Sequence, residues 1–200
     1  TMSVDLPTVP NDGDTVKFTF TLPDGTTRDL TMTATTSATP GPNQFTAGPA
    51  TAANLEAALL TSIGNLADTE LVAASAVQAG NDFFNTDANN PPQRVDGPPF
   101  DTATAMIDGT PANTVAWYTG DDATDDPRST ALARADQSLT VSYGARANEQ
   151  GLRVAVQSLA VFAAVQFSGA DPNGQEQYNA LRQRIGTNLA GAPNQQSVAD

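Results

Sequence analysis

Thr15–Ala34 reads TVKFTFTLPDGTTRDLTMTA, and its alternation decides the first part of the fold. Val16, Phe18, Phe20 and Leu22 fall on one side, between Lys17, Thr19 and Thr21. A period of two, rich in β-branched and aromatic residues, makes a half-buried strand. Pro23-Asp24-Gly25-Thr26 then supplies turn chemistry, with proline presetting φ and glycine free to adopt positive φ. The return strand carries Leu30, Met32 and Ala34 on one face and Asp29, Thr31 and Thr33 on the other. A β-hairpin follows. Asn11-Asp12-Gly13-Asp14 reads as the turn that launches it, with calcium ligation as the other use of those carboxylates.

Outward from the hairpin, residues 36–50 are proline-broken and read as a loop. Thr51 is placed to cap a helix whose apolar stripe is Leu55, Leu59, Ile63 and Leu66, widened by Ala57, Ala58 and Leu60. Gly64 or Asn65 is expected to end it. Residues 70–79 fit either a strand or a short helix, since so short an apolar run does not arbitrate. Residues 81–100 read as irregular, with Phe83, Phe84 and Phe100 packing down in part. Thr114–Thr119 reads as a strand with Trp117 and Tyr118 in the core, and 120–127 as an acidic turn. Ser129–Tyr143 is mostly extended, with Leu139, Val141 and Tyr143 alternating, until Gly144 breaks it. A helix is expected from Asn148 to about Phe167. Its stripe of Leu152, Ala155, Val156, Leu159, Phe162 and Ala163 reads as a packing face. Asp171-Pro172 has the form of an N-cap followed by proline at the first helical position. It opens a last helix with the stripe Tyr178, Leu181, Ile185 and Leu189, stopped at Gly191-Ala192-Pro193. Strands and helices mix without βαβ alternation, so the fold class is α+β. It consists of a hairpin-containing lobe with a helix, and a smaller strand region leading into two C-terminal amphipathic helices. The change of texture divides the chain at 1–110 and 111–200.

The composition narrows the chemistry. The 200 residues contain neither cysteine nor histidine, and Lys17 is the only lysine. A disulfide framework, a thiolate metal site and histidine general-base chemistry are therefore excluded. No phosphate-cradling glycine loop surrounds Lys17. A net charge of -13 repels nucleic acid, and no basic stripe offsets it. No apolar run approaches the roughly 20 residues of a membrane-spanning helix. Asp121, Asp122, Asp125 and Asp126 form the densest carboxylate cluster. They suit a hard cation in principle, but without EF-hand spacing they read as a solvated turn. No residue pair identifies itself as the facing carboxylates of a glycosidase. No catalytic residue, cofactor or metal ligand is expected.

Residues 114–167, TVAWYTGDDATDDPRSTALARADQSLTVSYGARANEQGLRVAVQSLAVFAAVQF, resemble the region before the C-terminal coiled-coil segment of the bacterial flagellin family. That family includes flagellin-like hook-associated proteins. Asp136–Glu149 (DQSLTVSYGARANE) and the helix after it carry most of the likeness. GAPNQQSVAD at the end resembles the start of the long C-terminal core helix. Residues 1–85, with DGDTVKFTFTLPDGTT, resemble a module inserted into flagellins. The resemblance implies an exported, extracellular structural segment whose partners are other flagellin or hook-associated subunits. It also implies that both polymerising terminal segments lie outside this stretch, leaving a fragment that is monomeric by itself. A different class, an extracellular adhesin or phage-tail-type module using Asp-rich loops for calcium or glycan, also fits the composition. A hydrolase is the third class.

Overall fold

The computed structural model describes residues 8–87, 90–120 and 126–191. It is an α+β chain of two compact units. One comprises Thr1–Ser75 with Phe167–Arg182, the other Ala76–Gln166 with Gln183–Asp200. The boundary expected at 110/111 falls inside the second unit.

In the first unit, β1 (Thr15–Thr21) and β2 (Thr27–Thr35) form the hairpin, with Val16 opposite Met32 and Phe18 opposite Leu30. The turn closes as its residues dictate. Asp24 Oδ1 accepts from the Thr26 N–H at 3.1 Å and the Thr26 hydroxyl at 2.7 Å, and Gly25 takes φ 79°. The polar face is tied across the strands by Asp29, which accepts from Thr19 Oγ1 at 2.6 Å and Lys17 Nζ at 3.0 Å. At the base of the hairpin, Asp12 Oδ1 accepts from the Thr36 N–H at 2.7 Å. The Asp14 carboxylate accepts from the Asn11 N–H at 2.7 Å.

A third strand, β3 (Gln44–Thr46), pairs parallel with β2 inside the stretch expected to be loop. Only Phe45 distinguishes this three-residue run from its surroundings, and Phe45 is buried. Asn43, at φ 56°, sets up the entry to it, a backbone region that asparagine tolerates. The sheet lays Met32, Ala34 and Phe45 on Leu55 and Leu59 of α1 (Thr51–Leu66), with Val16, Phe18, Leu30 and Ile63 packed around them. Burying Met32, Phe45, Leu55 and Leu59 contributes about 1.5–3 kcal/mol each.

The start and end of α1 differ from expectation. Thr51 is the first helical residue, and Ala50 sits at the cap position without a side-chain bond. The Thr51 hydroxyl accepts from the Gly48 N–H at 2.7 Å, and Asn54 Nδ2 donates to the Thr46 carbonyl at 2.9 Å. The helix is thus anchored to the preceding loop and β3. Gly64 does not stop it. The helical path continues through a π-helical segment, Ala67–Leu71, into α2 (Val72–Phe84), so residues 70–79 are helical. Burial explains the continuation, because Thr69, Ala73, Ala74 and Val77 extend the inward face past the glycine. The widened turn is held from two sides. Arg28 Nη2 donates to Glu70 Oε1 at 2.6 Å, and the buried Gln177 donates through Nε2 to the Asp68 carbonyl at 2.7 Å. Gln177 belongs to α4 (Gly174–Gly191), whose Leu181 is almost fully buried. This helix begins at Gly174, not directly after Asp171. Asp171 and Pro172 form the turn before it, where Asp171 Oδ1 accepts from the Asn173 N–H at 2.8 Å. Tyr178 and Leu189 of the expected stripe are exposed.

In the second unit, α2 runs to Phe84, so 81–100 is not irregular throughout. β4 (Gln93–Val95) pairs antiparallel with β5 (Met106–Asp108). Phe84 is buried, but Phe100 is exposed. Thr114–Thr119 is not a strand. Thr114 closes a turn back to the Thr110 carbonyl at 2.9 Å, and the chain then runs without a ladder. Trp117 and Tyr118 are half-buried in a ring cluster, with Phe84–Trp117 centroids 5.2 Å apart. Apolar aromatic content marked this segment as a strand, but the rings pack from irregular backbone. A 3₁₀ turn, Pro127–Thr130, precedes the hairpin β6 (Leu132–Arg134) and β7 (Thr140–Ser142). α3 (Gln150–Ala164) follows, a few residues shorter at each end than its sequence signal.

The hairpin has a pH signature. Hydrogen bonds from Thr36 and Thr35 hold the Asp12 carboxyl below its ordinary value of 3.8. Bonds from Thr19 and Lys17 do the same for Asp29. A folded-state pKa below the unfolded value gives stability that is present above that unfolded value and lost as pH falls through the lowered one. Acid titration of thermal stability is therefore expected to show a loss beginning near pH 4. Asp12→Asn and Asp29→Asn each flatten this limb, and an unchanged limb in the double variant refutes the assignment.

Candidate interaction surface

The acidic sequences do not assemble into a site among the described residues. Asp121, Asp122 and Asp125 lie outside those residues. Asp126 accepts from the Arg128 N–H at 2.9 Å and caps the 3₁₀ turn. Asp12 and Asp14 are engaged by Thr36 and Asn11, as described. No group of three or more acidic side chains is placed to hold a metal among the described residues. Trp117, the one indole, points its Nε1 into the unit interior, where no partner accepts from it among the described residues.

The unusual feature is the orientation of α3. The sequence places Leu152, Ala155, Val156, Leu159, Phe162 and Ala163 on one face, and such a stripe ordinarily turns inward. Here the buried residues are Gln157, Ser158 and Val161 from the other side. Leu159 is 72% exposed and Val156 46%, and Phe162 is exposed with them. The stripe expected to be a packing face is only half-buried at Leu152 and Ala155 and is exposed from Val156 onward.

Two contacts hold this orientation. Gly80 of α2 approaches α3 so closely that an added Cβ would stand 2.4 Å from Val161 Cγ2 and 3.4 Å from Gln157 Cγ. A side chain added there would force Val161 or one of the helices to shift. Beside it, Gln157 Nε2 donates to Asn81 Oδ1, which satisfies an amide that is otherwise costly to bury. The start of α3 is clamped too. Arg128 donates to the Gly144 carbonyl at 2.6 Å and to Glu149 Oε2 at 2.8 Å, while Glu149 Oε1 accepts from the Arg146 N–H at 2.8 Å. The β6–β7 hairpin of the same unit also exposes Leu132, Leu139, Val141 and Tyr143. Of the alternation Leu139, Val141 and Tyr143, only Val141 lies within a strand, and none of the three is buried. Exposed apolar side chains thus occur on both α3 and the β6–β7 hairpin. The sequence carried its residues, but only the Gly80 crossing shows which way they turn.

Comparison with protein-family models, curated proteins and solved structures finds no match to this chain.

Glycine substitutions test the crossing. Gly64→Ala, with open space around the new methyl group, is expected to stabilise by about 0.5–1 kcal/mol through helix propensity. Gly80→Ala gains the same propensity but overpacks against the stiff, buried Val161, so a net loss of about 1–2 kcal/mol is expected. Denaturant unfolding reads both, and equal signs refute the close approach. Leu159→Ser should change stability by no more than about 0.5 kcal/mol. Val161→Ala should lose more than about 1 kcal/mol. The reverse ranking would show that the stripe is buried.

Proposed function

We propose that this chain is an outer, surface-exposed segment of a flagellin-family structural protein, acting through packing against neighbouring subunits and not through catalysis. The observation that carries the reading is α3, which buries Gln157 and Ser158 and turns Val156 and Leu159 outward. A helix with part of its apolar side in water fits a chain whose packing partner is supplied by assembly. This helix lies in the stretch whose sequence resembles flagellins next to their coiled-coil segment. The Thr-rich hairpin with its cross-strand polar ties suits a lobe facing solvent, and the chain's net charge of -13 opposes aggregation. On this reading the protein is exported and extracellular, and its partners are other flagellin or hook-associated subunits.

The test is immunogold electron microscopy of source cells with antibodies raised against these 200 residues. Gold along extracellular filaments or at their base is expected. Labelling confined to the cell interior, or to an envelope without filaments, overturns the reading. Thermal unfolding with added calcium separates it from a calcium-dependent adhesin. An unchanged midpoint is expected, whereas a ligand-linked module would gain about 2.7 kcal/mol at a hundredfold excess over its Kd.

A further inference from the structure

In the second unit a cleft of about 830 Å³ opens beside the C-terminal end of α2. Its lining is unusual in being rich in planar polar side chains and free of cationic ones. Gln78, Asp82, Asn85 and Gln93 line it, with Phe83 and Met106 adding apolar surface. We propose that this cleft binds a neutral carbohydrate.

The polar groups are oriented before any ligand arrives. Gln157 Nε2 donates to Asn81 Oδ1, Asn81 Nδ2 to Gln78 Oε1 at 3.4 Å, and Gln78 Nε2 to Asp82 Oδ1 at 2.6 Å. Each amide gives its NH₂ to the next oxygen, so the direction of the chain sets how every member faces. The relay begins at a buried glutamine and ends on an exposed carboxylate. Asp82 Oδ2 has no partner among the described residues and remains an acceptor at the cleft. Across the cleft, Gln93 donates through Nε2 to Asp108, which leaves Gln93 Oε1 as a second acceptor. The Asn85 side-chain amide, also without a bond among the described residues, supplies donor and acceptor together.

This inventory selects the ligand. Neighbouring sugar hydroxyls both donate and accept, and they match carboxylate and amide groups set in planes. The half-buried Phe83 ring, held edge-on by Phe84 with centroids 5.1 Å apart, offers a flat apolar surface to the C–H face of a pyranose. Phosphorylated or acidic ligands are disfavoured, because the lining has no Lys or Arg and the chain carries -13. A lone carboxylate also makes a poor cation site. The volume lies within the range of small-molecule sites. This inference stands independently of assembly into a filament.

Amide chemical-shift titration tests it, using maltotriose, cellotriose and N-acetylchitotriose as probes. At least one trisaccharide should produce saturable shifts centred on residues 78–93, with a Kd of about 1 mM. Asp82→Ala and Gln93→Ala, both at exposed positions, should leave the remaining spectrum in place and each weaken binding by about tenfold. Absence of saturable shifts with all three probes overturns the proposal. So do shifts centred elsewhere, or binding unchanged in both variants.

Discussion

The closeness of α2 to α3 at Gly80 governs the second unit. A methyl group there would collide with Val161, whose branched side chain has little rotamer freedom to move aside. The approach therefore favours glycine, and beside it Gln157 meets Asn81. With that packing go the outward turn of Leu159 and the first link of the amide relay, from Gln157 to Asn81. The cleft itself is lined by α2 and the segment after it, and α3 touches its polar groups only through Gln157 on Asn81.

The first unit obeys a different constraint. Its sheet needs a cover for Met32, Ala34 and Phe45, and α1 supplies it. The helical path must then continue beyond a glycine and absorb a π-helical turn. Such turns are uncommon and often sit where another group needs access to the backbone. Here the Asp68 carbonyl is met by Gln177, and Glu70 is met by Arg28 from the hairpin. Side chains far apart in sequence thus hold an irregularity that the local sequence did not announce.

Legibility followed the length of each signal. The β1–β2 hairpin was readable because alternation, turn residues and apolar content agree over twenty positions from Thr15 to Ala34. Both C-terminal helices were readable from their periodicity. β3 was not, since one buried phenylalanine carries no period. TVAWYT failed in the opposite direction, as aromatic content imitated a strand where rings pack from irregular chain. The amide cleft left no trace in the sequence, because Gln78 lay in an ambiguous run, Asp82 in a stretch read as irregular, and Gln93 comes from a separate three-residue strand.

By itself, the amino-acid order determined the local geometry of the hairpin, the helical periodicity near the C-terminus and the exclusion of cysteine and histidine chemistry. Each of these depends on neighbours along the chain or on composition alone. Tertiary structure decided which face of α3 meets water, that α1 continues past Gly64, and that four planar polar side chains meet in one cleft. Those outcomes depend on steric fit between distant segments, and apolar periodicity specifies a stripe without specifying what covers it.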